Sequence, residues 1–206
     1  MENEKFGALV RSENGELVLE TGAYVVRQVP DFAEHIGKVA SEWAQAEAHL
    51  SCFFALLMGT KPEDERRRLS QKPACQIIEK TRKAVGHTLT DDELKAIGEL
   101  LERLDTLRDD RNRCQHDLWA KKAGDNVALY AVRAEDYLLL LMGISDESAQ
   151  SQGTSRAIEL VDRYVLTAAN RFTIERLERL HHEIKDVGNG LAKAFLNRVR
   201  LKQNNL

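Results

Sequence analysis

Residues Arg108 to Trp119 read RDDRNRCQHDLW, and their side chains are the best equipped in the chain for proton transfer and anion binding. A histidine with an ordinary pKa of about 6.5 takes up or returns a proton near neutral pH. An arginine presents a planar fork of donors that fits phosphate or carboxylate oxygens. If the stretch is helical, Asp109, Asn112, Arg113 and His116 share one face, because they lie three, four and seven positions apart. Arg111 then lies about 140° around the axis from His116, so only side-chain reach or a second chain brings the two together. The basic residues Arg108, Arg111, Arg113, Lys121 and Lys122 are able to receive phosphates. They also suit a plainer role, a solvated helix end favoured by its dipole.

The element that must position this cluster is a long helix. Leu94, Ile97, Leu101, Leu104 and Leu107 recur at three- and four-residue spacing, and Thr90 with Glu93 forms a capping box that opens the helix. We place its end near Ala120. A second helix over 31–58 is expected from the capping-box spacing of Asp31 and Glu34. Its stripe runs through Val39, Trp43, Leu50, Phe53 and Leu57. Glu47 stands in that stripe, four residues after Trp43, and is either paired there or reaches water at the stripe edge. Pro73 suits the first turn of a third helix through Ala84, ended by Gly86. Thr173 caps a fourth, carried by Ile174, Leu177, Leu180, Ile184, Val187, Leu191 and Val199, with Gly188 and Gly190 as candidate kinks. These helices, roughly 31–58, 73–86, 90–120 and 173–200, are expected to pack as an antiparallel bundle.

The strands are fewer. Ala8–Arg11 and Glu16–Leu19 flank Asn14-Gly15, a hairpin turn pair, and Ala23–Val29 adds a third run that Pro30 ends. Asn126–Arg133 and Leu160–Thr167 read as strands, Gly124-Asp125 as a turn, and Tyr137–Met142 as strand or helix. Gly59–Lys72, with its charge run EDERRR, and Ser145–Ser155 read as loops. The fold class is therefore mainly α: a helical bundle with a small antiparallel β meander and a few extra strands. It forms one domain over 1–206, with a β-rich N-terminal appendage at 1–30 and a helical body at 31–206 carrying short strands after 126.

Composition narrows the classes. Of 206 residues, 43% are apolar and 31% charged, as in ordinary globular chains. A formal charge of −3 argues against a broad nucleic-acid-coating surface but leaves room for a local basic pocket. Cys52, Cys75 and Cys114 make no CxxC pair, which suits a reducing cytoplasm, and each reads as a small buried side chain. Glu2, Glu4 and Lys5 interrupt any secretory signal at the start, and no apolar run is long enough to span a membrane.

Arg111, Asn112 and His116, written RNRCQH, resemble the motif of the HEPN superfamily (higher eukaryotes and prokaryotes nucleotide-binding). There an Arg, often followed by a polar residue, precedes a His by four to six intervening residues on a late helix. The likeness covers about a dozen residues, with a weaker one in the earlier helix carrying Trp43 and Glu47. It implies a helical body and, in many members, a metal-independent ribonuclease acting as a homodimer with a composite site. By that resemblance His116 takes the proton from an RNA 2′-hydroxyl or protonates the leaving oxygen. Arg111 stabilises the phosphorane charge and Asn112 holds the ring or the phosphate. Beside these, Arg108, Arg113, Lys121 and Lys122 are the expected substrate-binding residues, and Glu47 and Asp109 the expected supports. It further implies RNA as partner, a toxin or phage-defence role, a possible antitoxin or regulatory protein, and no cofactor or metal. Other members are silent modules that bind a nucleotide or a protein, and that alternative stays open.

The bare spacing occurs three times, since Arg82 precedes His87 and Arg176 precedes His181 by five positions. Lys83 and Leu177 follow those arginines, so only Arg111 has the amide after it. A di-iron bundle needs two Glu-x-x-His pairs, and only Glu178–His181 fits. His181 and His182 are adjacent, a poor ligand spacing that suits a surface pair. No phosphate-binding glycine loop, HExxH or GxSxG is present.

Overall fold

Gly15 adopts φ +78, the left-handed region that glycine enters freely, and so turns strand β1 (Leu9–Arg11) back into β2 (Leu17–Thr21). The computed structural model describes residues 7, 9–12, 14–59, 73–86, 89–146 and 153–204. The EDERRR run and His87 lie outside them, as do residues 147–152 of the expected Ser145–Ser155 loop. After β2 come helices α1 (Ala23–Arg27), α2 (Pro30–Met58), α3 (Ala74–Val85) and α4 (Asp91–His116). Strands β3 (Leu118–Lys122) and β4 (Ala128–Val132) follow, then helices α5 (Ala134–Ser145) and α6 (Gly153–Tyr164), strand β5 (Arg171–Thr173) and helix α7 (Ile174–Asn204). The described chain is thus mainly helical with a small antiparallel sheet. None of its helices is long and apolar enough to cross a membrane.

The chain divides into two compact units, each built from two segments. One comprises Met1–Gly37 and Asn112–Arg179, the other Lys38–Arg111 and Leu180–Leu206.

The first unit holds the whole sheet, ordered β1-β2-β3-β4-β5 and antiparallel throughout. The N-terminal hairpin is not an appendage, because Thr21 pairs with Ala120 and makes β2 an interior strand. All five residues of β4 are buried, so both its faces are covered. On one face Leu19, Ala120, Tyr130 and Val132 pack in one cluster with Leu140 of α5 and Leu160, Val161 and Val165 from α6 and the residue after it. On the other, Trp119 meets Phe172 edge-on, ring centroids 5.7 Å apart.

Three sequence expectations are corrected in this unit. Residues 23–27 are a helical turn rather than a third strand. Gly22, at φ +136, bends the chain after its amide donates to the Trp119 carbonyl, and only Val25 of the turn is fully buried. Residues 118–122 are strand rather than the end of α4, because they lie between β2 and β4 and bond to both. The 160–167 run starts as helix α6, whose inward positions Ala157, Leu160, Val161 and Tyr164 keep helical spacing. Tyr137–Met142, open in the sequence, belongs to α5.

The described part of the second unit is helical. Gly86 follows α3 as expected, whereas Pro73 is its N-cap rather than a residue of its first turn. Thr90 and Glu93 form the capping box: the Thr90 amide and hydroxyl each donate to Glu93 Oε2 at 3.0 Å, and the Glu93 amide reaches Thr90 Oγ1 at 3.4 Å. Gly188 and Gly190 do not break α7. They allow close packing instead, since a Cβ on Gly188 would stand 3.3 Å from that of Ala46. The His49 ring is 2.9 Å from the Gly188 carbonyl at this crossing. Trp43, Leu50, Phe53, Ile78, Leu101, Leu104, Ile184 and Leu191 are essentially buried. Burying each such side chain stabilises by about 1.5–3 kcal/mol. Cys114 is buried as expected, but Cys52 and Cys75 are exposed.

Helix α2 begins at Pro30, which the sequence reading gave only as a strand terminator. Its fixed φ and missing N–H suit a first helical position. Asp31 therefore lies inside the first turn rather than at the cap.

Candidate functional site

Helix α4 ends at His116, so the motif occupies its last turns and the sheet begins two residues later. The buried stripe Ile97, Leu101, Leu104 and Leu107 fixes the rotation of the helix, and the motif residues follow from that rotation. Arg111 and Glu47 belong to the helical unit, Asn112, Arg113 and His116 to the sheet unit.

In the helical unit α2 contributes Trp43 and Glu47, one turn apart on one face. The Arg111 guanidinium carbon lies 5.2 Å from the centroid of the fully buried Trp43 ring, within cation–π range. Burial lowers the Arg111 pKa, and the Glu47 charge opposes that shift. Arginine still stays protonated. Glu47 thus acts on Arg111 as a nearby counter-charge.

Arg108 is engaged by its own helix: Nε donates to Asp105 Oδ1 at 3.1 Å and Nη2 lies 3.6 Å from Asp109. The Asp105 bond raises its pKa, and burial partly offsets this. Asp109, expected to support the catalytic group, therefore pairs with Arg108.

In the sheet unit Arg113, expected to bind substrate, is engaged by acceptors of the fold itself. Its Nε donates to Asp117 at 3.0 Å, and Nη2 donates to the Ala131 carbonyl and to Asn170 Oδ1, both at 2.6 Å. Nη1 reaches the Ala169 carbonyl at 3.3 Å. Asn170, 3% exposed, donates its amide hydrogens to the carbonyls of Tyr164 and Val165 at 3.0 and 2.9 Å. One guanidinium and one amide thus tie the end of α4 to β4 and to the turn before β5. Sequence reading missed Asn170, which stands 57 residues from Arg113 and has no local pattern to mark it.

His116 is exposed and Asn112 half-buried one turn earlier. Lys121 is half-buried opposite Glu20 in the β2–β3 pairing, and Lys122 is exposed at the strand end opposite Leu19. Along α4 itself Arg111 and His116 stay five residues apart, about 140° around the axis.

The rival pairs have other roles. Arg82 donates to the Leu101 carbonyl at 3.4 Å and pairs with Asp105 at 3.5 Å. Arg176 packs 4.0 Å over Phe172 and donates to the Arg171 carbonyl at 2.6 Å. His181 is buried rather than a surface residue, its ring 4.2 Å from that of exposed His182. No group of three or more potential metal ligands occurs among the described residues. Comparison with protein-family models, with curated proteins and with solved structures finds no match to this chain.

Proposed function

We propose that this chain is a metal-independent endoribonuclease with a HEPN-like helical bundle and motif, acting as a two-fold homodimer. The carrying observation is that His116 stands exposed as the last residue of α4, one turn after Asn112, where an incoming phosphodiester can reach it. His116 takes the proton of an RNA 2′-hydroxyl, whose oxygen attacks the adjacent phosphorus. The 5′-oxygen then leaves with the proton that the His116 imidazolium returns, giving a 2′,3′-cyclic phosphate and a 5′-hydroxyl. Arg111 supplies the charge that offsets the phosphorane, and Asn112 orients ring or phosphate. Because Arg111 and His116 diverge on one helix, each reaction centre joins residues of two copies across an isologous interface. Lys122 is the exposed cation for the RNA backbone. As a cytoplasmic toxin or defence effector, such an enzyme would be held by an antitoxin or regulatory protein.

A second reading, a silent module that binds a nucleotide or a protein, is favoured by the packing of Arg111 on Trp43 and the internal engagement of Arg108 and Arg113. Incubation of the purified protein with a mixed RNA pool in excess chelator, with analysis of the product ends, separates the two. His116→Ala should reduce cleavage about 10²- to 10⁴-fold, the usual general acid–base contribution. His87→Ala and His181→Ala should leave it near wild type. Intact RNA, with and without added metal, selects the silent module, and 3′-hydroxyl products refute the mechanism.

A further inference from the structure

Helices α4 and α7 of the helical unit leave a groove of about 290 Å³, near the lower end of the usual ligand-pocket range of ~300–1,000 Å³. Buried Phe53 of α2 and Ile97 of α4 form its floor, and Leu100 and Ala194 its walls. Gly190 has no side chain to hold the helices apart: a Cβ there would stand 2.7 Å from Leu100 Cδ2. Leu100 therefore lies against the α7 backbone and closes the groove at that level.

The polar groups gather at the mouth. Glu93 is already held by the Thr90 amide and hydroxyl, and the Arg198 charge draws its pKa down further. Glu93 and Arg198 contribute one charge of each sign to the groove lining. Lys193, exposed on α7, leaves the mouth with a net positive charge, and Asn197 offers amide donors one turn later.

We infer that this groove binds a small anionic amphiphile, a medium-chain carboxylate whose hydrocarbon body lies on Phe53, Ile97 and Leu100 and whose carboxylate meets Lys193 and Asn197. Charge complementarity selects this occupant. Against that net positive charge a cationic head is disfavoured, and a neutral head makes no ion pair with Lys193. The site is independent of the motif residues and of the nuclease reading.

Titration of the full-length protein with decanoate, decanol and decylammonium, each below its micelle concentration, tests the inference by amide chemical shifts. Decanoate should give saturable shifts at Ala96, Leu100 and Ala194, and decylammonium should bind at least tenfold more weakly. Ala194→Trp should fill the groove and abolish those shifts while circular dichroism stays native. Lys193→Glu, a surface change that leaves packing untouched, should weaken decanoate about two- to fivefold, as expected for an exposed ion pair, and leave decanol unchanged. Equal binding of decylammonium would overturn the inference. So would saturable shifts confined to the exposed leucines of α5, or unaltered decanoate binding by Lys193→Glu.

Discussion

Asn170→Ala tests most directly whether Arg113 holds the sheet unit together. The substitution removes two amide donors from the carbonyls of Tyr164 and Val165 and one acceptor from the Arg113 guanidinium. Two neutral bonds at about 1 kcal/mol each and one charge-assisted bond at about 1.5–3 kcal/mol sum to roughly 3.5–5 kcal/mol. Groups in one network do not add fully, so the expected loss is about 3–4 kcal/mol. Urea unfolding followed by circular dichroism measures it, with exposed Asn126→Ala as the control expected within about 0.5 kcal/mol. Hydrogen exchange gives a local readout, because the Ala131 amide donates to the Asn170 carbonyl at 2.8 Å and should lose protection. Arg113→Lys should fail in the same way, since an ammonium cannot serve four acceptors with a fixed fork. A loss below 1 kcal/mol for Asn170→Ala, or a fully stable Arg113→Lys variant with weakened RNA binding, would refute the structural role and restore Arg113 to the substrate.

Arg111→Ala should cost about 0.5–2 kcal/mol through the lost contact with the Trp43 ring, seen as a lower denaturation midpoint and a shifted tryptophan emission. Thr90→Ala should cost about 1 kcal/mol as a lost helix cap, measured by thermal unfolding. The Glu93 carboxyl is held below its ordinary range, first by the Thr90 amide bond, then by the Thr90 hydroxyl, so its contribution is present above the unfolded pKa of about 4.3 and fades as pH falls through the folded value. Glu93→Gln should therefore flatten the stability profile in that acid window and leave its shape above about pH 5 unchanged. Along α5, Leu140→Ala should cost about 2–5 kcal/mol because Leu140 is 1% exposed, whereas Met142→Gln, at a position 62% exposed, should stay within about 0.5 kcal/mol by urea titration.

The sequence by itself determined whatever depends on neighbours a few residues away. The Asn14-Gly15 turn, the Thr90–Glu93 box, the Thr173 cap (its Oγ1 accepts the Arg176 amide at 3.2 Å) and the apolar spacing of α2, α4 and α7 are local signals, and each marks a real element, although α4 stops at His116 and α2 starts at Pro30. Residues 160–164 carry a helical spacing too, continuous with Ala157, although the 160–167 run also suits a strand. Tertiary structure alone decided residues 118–122. Their partners are Leu19–Thr21 and Leu118's opposite number Val132, and backbone pairing across that distance leaves no periodic trace in the segment. The same holds for the site. Spacing placed Asn112, Arg113 and His116 together on one helix, yet Asn170 and the Ala131 carbonyl claim the Arg113 fork, and Trp43 receives Arg111. An arginine's role depends on which acceptors the fold brings within about 3 Å, and residue type and spacing do not encode that.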